Sequence, residues 1–483
     1  MAVETIKNYI DGEWIASTSK ETLPVCNPAT DETLAFVPMS TRDEVDQAVR
    51  AADDAFWEWR ETTPYTRARY MFDLKDAMEN HFEELATTIT KEHGKIIDES
   101  RGEVRRAIEN VEVAAGVPSL MMGYNMEDVS QGIDEEAVRQ PVGVFCCIAP
   151  FNFPAMVPFW FLPYAVATGN TYVVKPSEQT PLSQQMLYKI MDEVDFPPGV
   201  VNLVNGARDV AEALLDHPAM KGVSLVGSTP VARAIYERAA ENGIRAQCQA
   251  GAKNFLVVMP DAVLSSTVPN ILTSCFGTAG QRCLAGAVVV AVGDVYEPLK
   301  EQLVEAASAL KVGDGLDETI QMGPVISAKS LERIRGYIEK GVEEGATLLL
   351  DGRDVKVDGL NGHFIGPTIF DNVVSEMKIA QDEIFGPVMS IMHAGNFDEA
   401  LELIDESPYG NAASLFTSSG KYAREFKYRV ECGNIGINIG IAAPIASFPF
   451  GGQRDSFFGV MHGQGLDGID FFTDRKVVIT RWF

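Results

Sequence analysis

The sequence predicts an α/β protein, and three observations carry that prediction. Short β-branched runs, among them TYVVK, VVNLV, VSLV, FLVVM and AVVVAV, recur along the chain. Between them lie segments with helical spacing, such as EVDQAVRAADDAFWEWR and PVARAIYERAAENG. Strands alternating with helices are joined by crossovers and form parallel sheets. The third observation is size: 483 residues, 46% of them hydrophobic, exceed one ordinary core and can fill two or three.

Composition narrows the function classes. A formal charge of -28 repels DNA, RNA and anionic lipid. It suits concentrated salt, where screening removes the self-repulsion of a compact polyanion, so a halophilic source is expected. Seven scattered cysteines with no CxxC pair and no secretory start point to reduced thiols in a cytoplasmic protein. Six histidines without ligand spacing give no support to a metal site.

In chain order, the first informative stretch is FCCIAPFNFPAMVPFWFLPYAVATGNTYVV, residues 145–174. Pro150, Pro154, Pro158 and Pro163 break it, and Asn152 and Asn170 add polarity. A membrane span needs about 20 residues without such breaks, so the stretch reads as strand, turn, buried helix and second strand. Lys175 closes that second strand, and Pro176, Ser177 and Glu178 follow it at the sheet edge where α/β folds bind ligands. A carboxylate there can hold both hydroxyls of an adenosine ribose and would repel a 2′-phosphate; an ordinary solvated loop is the alternative. VSLV next ends at Gly227, Ser228 or Thr229 can cap the following helix, and Pro230 suits its first turn, leaving N–H groups that could face an anion. No GxGxxG accompanies this turn, and a plain strand-to-helix connection explains it equally. Cys283 sits in GTAGQRCLAGA, just before a strand. Cys275, in a helical stretch, and Cys146 and Cys147, in a strand-like run, read as packing.

Seven motifs occur in one order: APFNFP (149–154), KPSEQTP (175–181), VGST (226–229), GAKN (251–254), GQRC (280–283), EIFGPV (383–388) and FPFGG (448–452). In order and spacing the chain resembles the aldehyde dehydrogenase superfamily from NYIDGEW (8–14) to its closing strands. The resemblance implies a Rossmann-like NAD-binding domain (1–122 and 142–250), an α/β catalytic domain (251–440) and a small β oligomerisation element (123–141 with 465–483). It also implies that Cys283 is the nucleophile, and that Asn152 with the Cys283 N–H holds the oxyanion. Pro150, Phe151, Lys175, Ser177, Glu178, Gly227, Ser228, Glu383 and Phe385 would then form the NAD site. Lys175 and Glu178 would hold the adenosine ribose, Ser228 the pyrophosphate, and Glu383 with Phe385 the nicotinamide ribose and ring. Strand exchange through KVVITRWF would join a homodimer or homotetramer.

One position departs from the superfamily. Hydrolytic members carry a glutamate where QCQAGAKN places Gln249, and an amide cannot take a proton from water near neutral pH. Thiol exchange needs no such base, so coenzyme A is the expected acceptor. That pattern is similar to the CoA-acylating methylmalonate-semialdehyde dehydrogenases, as are SLMMG, VVMPDA and LLLDGR. Their substrates carry a carboxylate, which Arg282 and Arg106 would grip while Phe450 lines the tunnel. Arg105 faces about 100° away on the same helix. For Arg106 an ion pair with Glu103 or Glu109 is the competing reading, and for Arg282 a structural role. FPFGGQR replaces the PFSFTGSR common in that branch, which leaves the semialdehyde, methylmalonate or malonate, open. Two other readings stand: a CoA-independent hydrolytic enzyme, and a retired family member acting as a binding protein.

Overall fold

The computed structural model describes residues 3–483. Strands and helices alternate as the patterning predicts. Five parallel strands form the middle of an eight-stranded sheet, in the order Val201–Leu203, Thr171–Lys175, Val144–Ile148, Met220–Val226 and Arg245–Gln249. The chain enters at Val144–Ile148, winds one way, then returns to wind the other. The order therefore reverses between Val144–Ile148 and Met220–Val226, and ligands bind at the carboxyl edge beside such a reversal. Antiparallel strands close both edges, Asn8–Ile10 with Glu13–Ile15 on one and Phe457–Phe458 on the other.

Val144–Ile148 (VFCCI) and Thr171–Lys175 (TYVVK) are buried throughout, as strands covered on both faces must be. Cys146 and Cys147 are packed there and Cys275 in the helix Leu264–Phe276, in line with their reading as core residues. The helix Arg42–Glu61 covers one face and starts at a capping box between Thr41 and Glu44. The proline-punctuated stretch forms two short buried helices rather than one, Met156–Phe159 and Leu162–Ala167.

A second sheet of seven strands contains Asn254–Val258, Gly286–Val292, Val388–Ala394 and Ala412–Phe416 side by side in parallel. Its core is separate from that of the first sheet. A third, antiparallel sheet joins Tyr124–Ser130, Ile133–Pro141 and Thr473–Arg481. The C-terminal strand pairs with Ile133–Pro141 over nine residues, which brings 123–141 and 465–483 into one sheet. The sheet leaves Tyr124, Met126, Val477, Ile479 and Trp482 exposed. Among the described residues no helix is long and apolar enough to cross a membrane.

Candidate active site

Cys283 lies on the loop between the tight turn Gly277–Gly280 and the buried strand Gly286–Val292. Thr278, Ala279 and Gly280 have consecutive positive φ values of 53°, 51° and 70°. A Cβ at Gly280 would meet the Gly386 carbonyl oxygen at 2.2 Å, so this close approach requires glycine. Beyond the turn, the Cys283 carbonyl accepts from the side-chain amides of Asn254 at 2.8 Å and Asn411 at 2.7 Å. Two amides on one carbonyl fix the peptide plane after Cys283, and with it the direction of the Leu284 N–H.

Cys283 is only partly buried and borders two pockets. One is a cavity of about 250 Å³ lined by Phe153, Met156, Trp160, Phe450, Arg106 and Arg282. The other is a narrow pocket shared with Lys253, Glu383 and Phe385. Burial pushes the thiol up to about 12; the Glu383 charge adds to this, while Arg282 and the N–H groups of Cys283 and Leu284 oppose it.

Asn152 is buried on the loop after Val144–Ile148, and its Nδ2 donates to the Gln281 carbonyl at 3.0 Å, two residues from Cys283. The backbone around it is held by a pair that sequence reasoning missed. Lys95 Nζ donates to the Asn152 carbonyl at 2.6 Å and to Glu103 at 2.6 Å, and both side chains of the pair are fully buried. Glu103 also accepts from the N–H groups of Ala155 and Met156. Burial lowers the Lys95 pKa, and Glu103 opposes the shift.

The two arginines meet in the cavity, each with a carboxylate partner. Arg282 donates to Glu99 at 3.1 Å, and Arg106 to Glu109 at 2.8 Å. Arg105 points elsewhere, to Glu79. Phe450 is buried and stacks on Trp160 at 4.3 Å. Gln249 ends its strand, buried, and donates to the Phe450 carbonyl at 2.8 Å while its Oε1 has no partner.

The remaining predicted residues gather along the carboxyl edge of the first sheet. Lys175 is buried, with Nζ 2.7 Å from the Gly206 carbonyl and 3.4 Å from Glu178. Ser177 Oγ accepts from the Gln179 N–H, a local turn. Pro150 and Phe151 follow the central strand, and the Phe151 ring sits 5.7 Å from that of Phe385. Gly227 and Ser228 follow the neighbouring strand, before the helix Thr229–Glu241. Neither Ser228 nor Thr229 caps this helix through its side chain, a correction to the sequence reading. Thr229 Oγ1 instead accepts from the Gly251 N–H at 3.0 Å, so the first-turn N–H groups have no side-chain cap. Glu383 accepts from the Ala252 N–H at 2.9 Å, and burial raises its carboxyl to about 7 against the pull of that N–H, Lys253 and Arg333.

The carboxyl edge of the first sheet thus carries a buried lysine, a carboxylate and an uncapped helix N-terminus on strands either side of the reversal point, which fits a dinucleotide.

Comparison with known proteins agrees with this architecture. The model of the aldehyde dehydrogenase family matches residues 14–478. The chain is 48% identical over 480 residues to malonate-semialdehyde dehydrogenase 2 of Geobacillus kaustophilus (strain HTA426), covering 99% of each. It superposes with a TM-score of 0.98 on methylmalonate-semialdehyde dehydrogenase from Oceanimonas doudoroffii, at 42% identity over 99% of both chains. A protein from Sinorhizobium meliloti 1021 assigned as a methylmalonate-semialdehyde dehydrogenase and complexed with NAD gives the same TM-score, at 40% identity over 99% of this chain and 98% of that one. The chain belongs to the aldehyde dehydrogenase family.

Proposed function

We propose that this protein oxidises malonate or methylmalonate semialdehyde with NAD and transfers the acyl group to coenzyme A. The observation that carries the reading is the cavity beside Cys283. It holds two guanidinium groups for a substrate carboxylate, and Gln249 is tied to its wall where a water-activating carboxylate would otherwise stand.

Cys283 loses its proton to solvent and attacks the aldehyde carbon as the minor thiolate form, and the oxygen takes the negative charge within reach of Asn152 Nδ2 and the Cys283 N–H. Lys95 and Glu103 keep the Asn152 loop in place for this step. When bound against Glu383 and Phe385, NAD supplies the hydride acceptor. The product is a thioester on Cys283. Gln249 cannot activate water, so this ester persists until the coenzyme A thiol displaces Cys283. The carbon–carbon bond to the carboxylate breaks with its electron pair passing into a thioester enolate, which takes a proton from solvent. The sum is semialdehyde, coenzyme A and NAD giving acetyl-CoA or propanoyl-CoA, carbon dioxide and NADH.

The same proposal assigns Pro150, Phe151, Lys175, Ser177, Glu178, Gly227 and Ser228 to the NAD site and Arg106, Arg282 and Phe450 to the substrate. It divides the chain into an NAD-binding domain (1–122 and 142–250), a catalytic domain (251–440) and an oligomerisation element (123–141 and 465–483). A homodimer or homotetramer, covering the exposed apolar residues of the third sheet, and a cytoplasmic location in a salt-rich cell complete it. Mass spectrometry of the products from malonate semialdehyde, NAD and coenzyme A tests the chemistry. Acetyl-CoA is expected; a free acid formed at the same rate without coenzyme A contradicts it.

A further inference from the structure

We propose that Glu99 sets how strongly the cavity beside Cys283 attracts a carboxylate, which makes it a specificity-determining residue; this rests on the semialdehyde reading above. Glu99 stands in the first turn of the helix Ile97–Ala115 and lines the cavity with Arg106, Arg282 and Cys283. Its Oε1 accepts from the Thr278 N–H at 2.8 Å and from Arg282 Nη2 at 3.1 Å. Arg282 donates in addition to Thr278 Oγ1 at 3.0 Å. One carboxylate oxygen thus holds both the left-handed turn before the nucleophile and the guanidinium beside it.

The charges around the cavity balance before any substrate enters. Lys95, Arg106 and Arg282 each pair with one carboxylate, Glu103, Glu109 and Glu99 respectively. An incoming carboxylate therefore meets a neutral cluster and leaves it with one excess negative charge. Of the three acids, Glu99 governs this. Glu103 is committed to Lys95 and to the Ala155 and Met156 N–H groups with neither side chain of the pair exposed, and the Arg106–Glu109 pair is about a third exposed and screened by water. The Arg282–Glu99 pair lies between these extremes, 12% and 16% exposed, where a unit charge acts strongly on a neighbour. Glu99 consequently weakens the grip of Arg282, which suits a carboxylate that must leave as carbon dioxide.

The test compares malonate semialdehyde with propanal, which carries a methyl group in place of the carboxylate, in wild type, Glu99→Gln and Glu99→Asp. Glu99→Gln keeps an acceptor for the Thr278 N–H and removes the charge. The KM for the semialdehyde should fall by about tenfold, with a steeper rise on adding salt, while the KM for propanal stays within about twofold. Glu99→Asp keeps the charge but shortens the reach to Thr278 and Arg282, and should leave the preference between the two aldehydes near that of wild type. If Glu99 only supports the turn, kcat/KM for the semialdehyde falls in both variants, and the proposal is overturned. Should Glu99→Gln not fold, Glu99→Asp decides alone: a retained preference supports the proposal and a lost one overturns it. A wild type that does not favour the semialdehyde over propanal rejects the substrate reading itself, and this inference with it.

Discussion

At Cys283 the surroundings favour the thiol. Burial and the Glu383 charge outweigh Arg282 and two backbone N–H groups, so the sulfur carries its proton at neutral pH. An acid whose pKa is raised to about 12 gains thiolate about tenfold per pH unit until that value is reached. In the NAD-free enzyme, alkylation of Cys283 by iodoacetamide should therefore rise steadily between about pH 7 and about pH 10 with no plateau. A plateau near neutrality would show a thiolate already formed. What singles out Cys283, its motif and its small neighbours, was readable in the sequence. The amides that fix its carbonyl were not: Asn254 lies 29 residues before Cys283 and Asn411 lies 128 after it, and only the fold brings them together.

Among elements, the helix Ile97–Ala115 matters most to the site. Glu99, Glu103 and Arg106 all project from it, and Glu103 meets Lys95 in the segment just before. Taking one partner from a buried ion pair leaves the other uncompensated, at a cost of about 3–5 kcal/mol. Glu103→Ala should lose about that much stability in urea unfolding, because it strands Lys95 and two N–H groups of the Asn152 loop. Removing Glu79, the partner of Arg105, should cost less than about 1 kcal/mol, since that pair is partly exposed. Equal losses would refute the anchoring role of Glu103. Sequence reasoning saw Glu103 only as a rival partner for Arg106, because burial of a charge is decided by what packs over it. The alternation of strands and helices was legible, since each strand covered on both faces is a continuous apolar run.

For the whole molecule, 68 acidic residues face 40 basic ones. Unbalanced charge of this size opposes folding at low ionic strength and is screened within about 3 Å at 1 M salt. The melting temperature should rise between low and molar sodium chloride. A flat or falling curve would mean that the acidity is only a solubility device and would remove the basis for a halophilic source. The two large sheets were foreseeable from strand count and chain length, and their motif-bearing loops from the motifs themselves. The way Cys283 borders two pockets was not, because the pockets form between segments distant in the chain.

The central claim is that Gln249 leaves the thioester waiting for a thiol. Rapid mixing of enzyme, NAD and malonate semialdehyde, followed by NADH absorbance, measures it most directly. The account predicts a burst of about one NADH per active site without coenzyme A, and steady turnover only when coenzyme A is added. Steady turnover at the same rate without coenzyme A would contradict it.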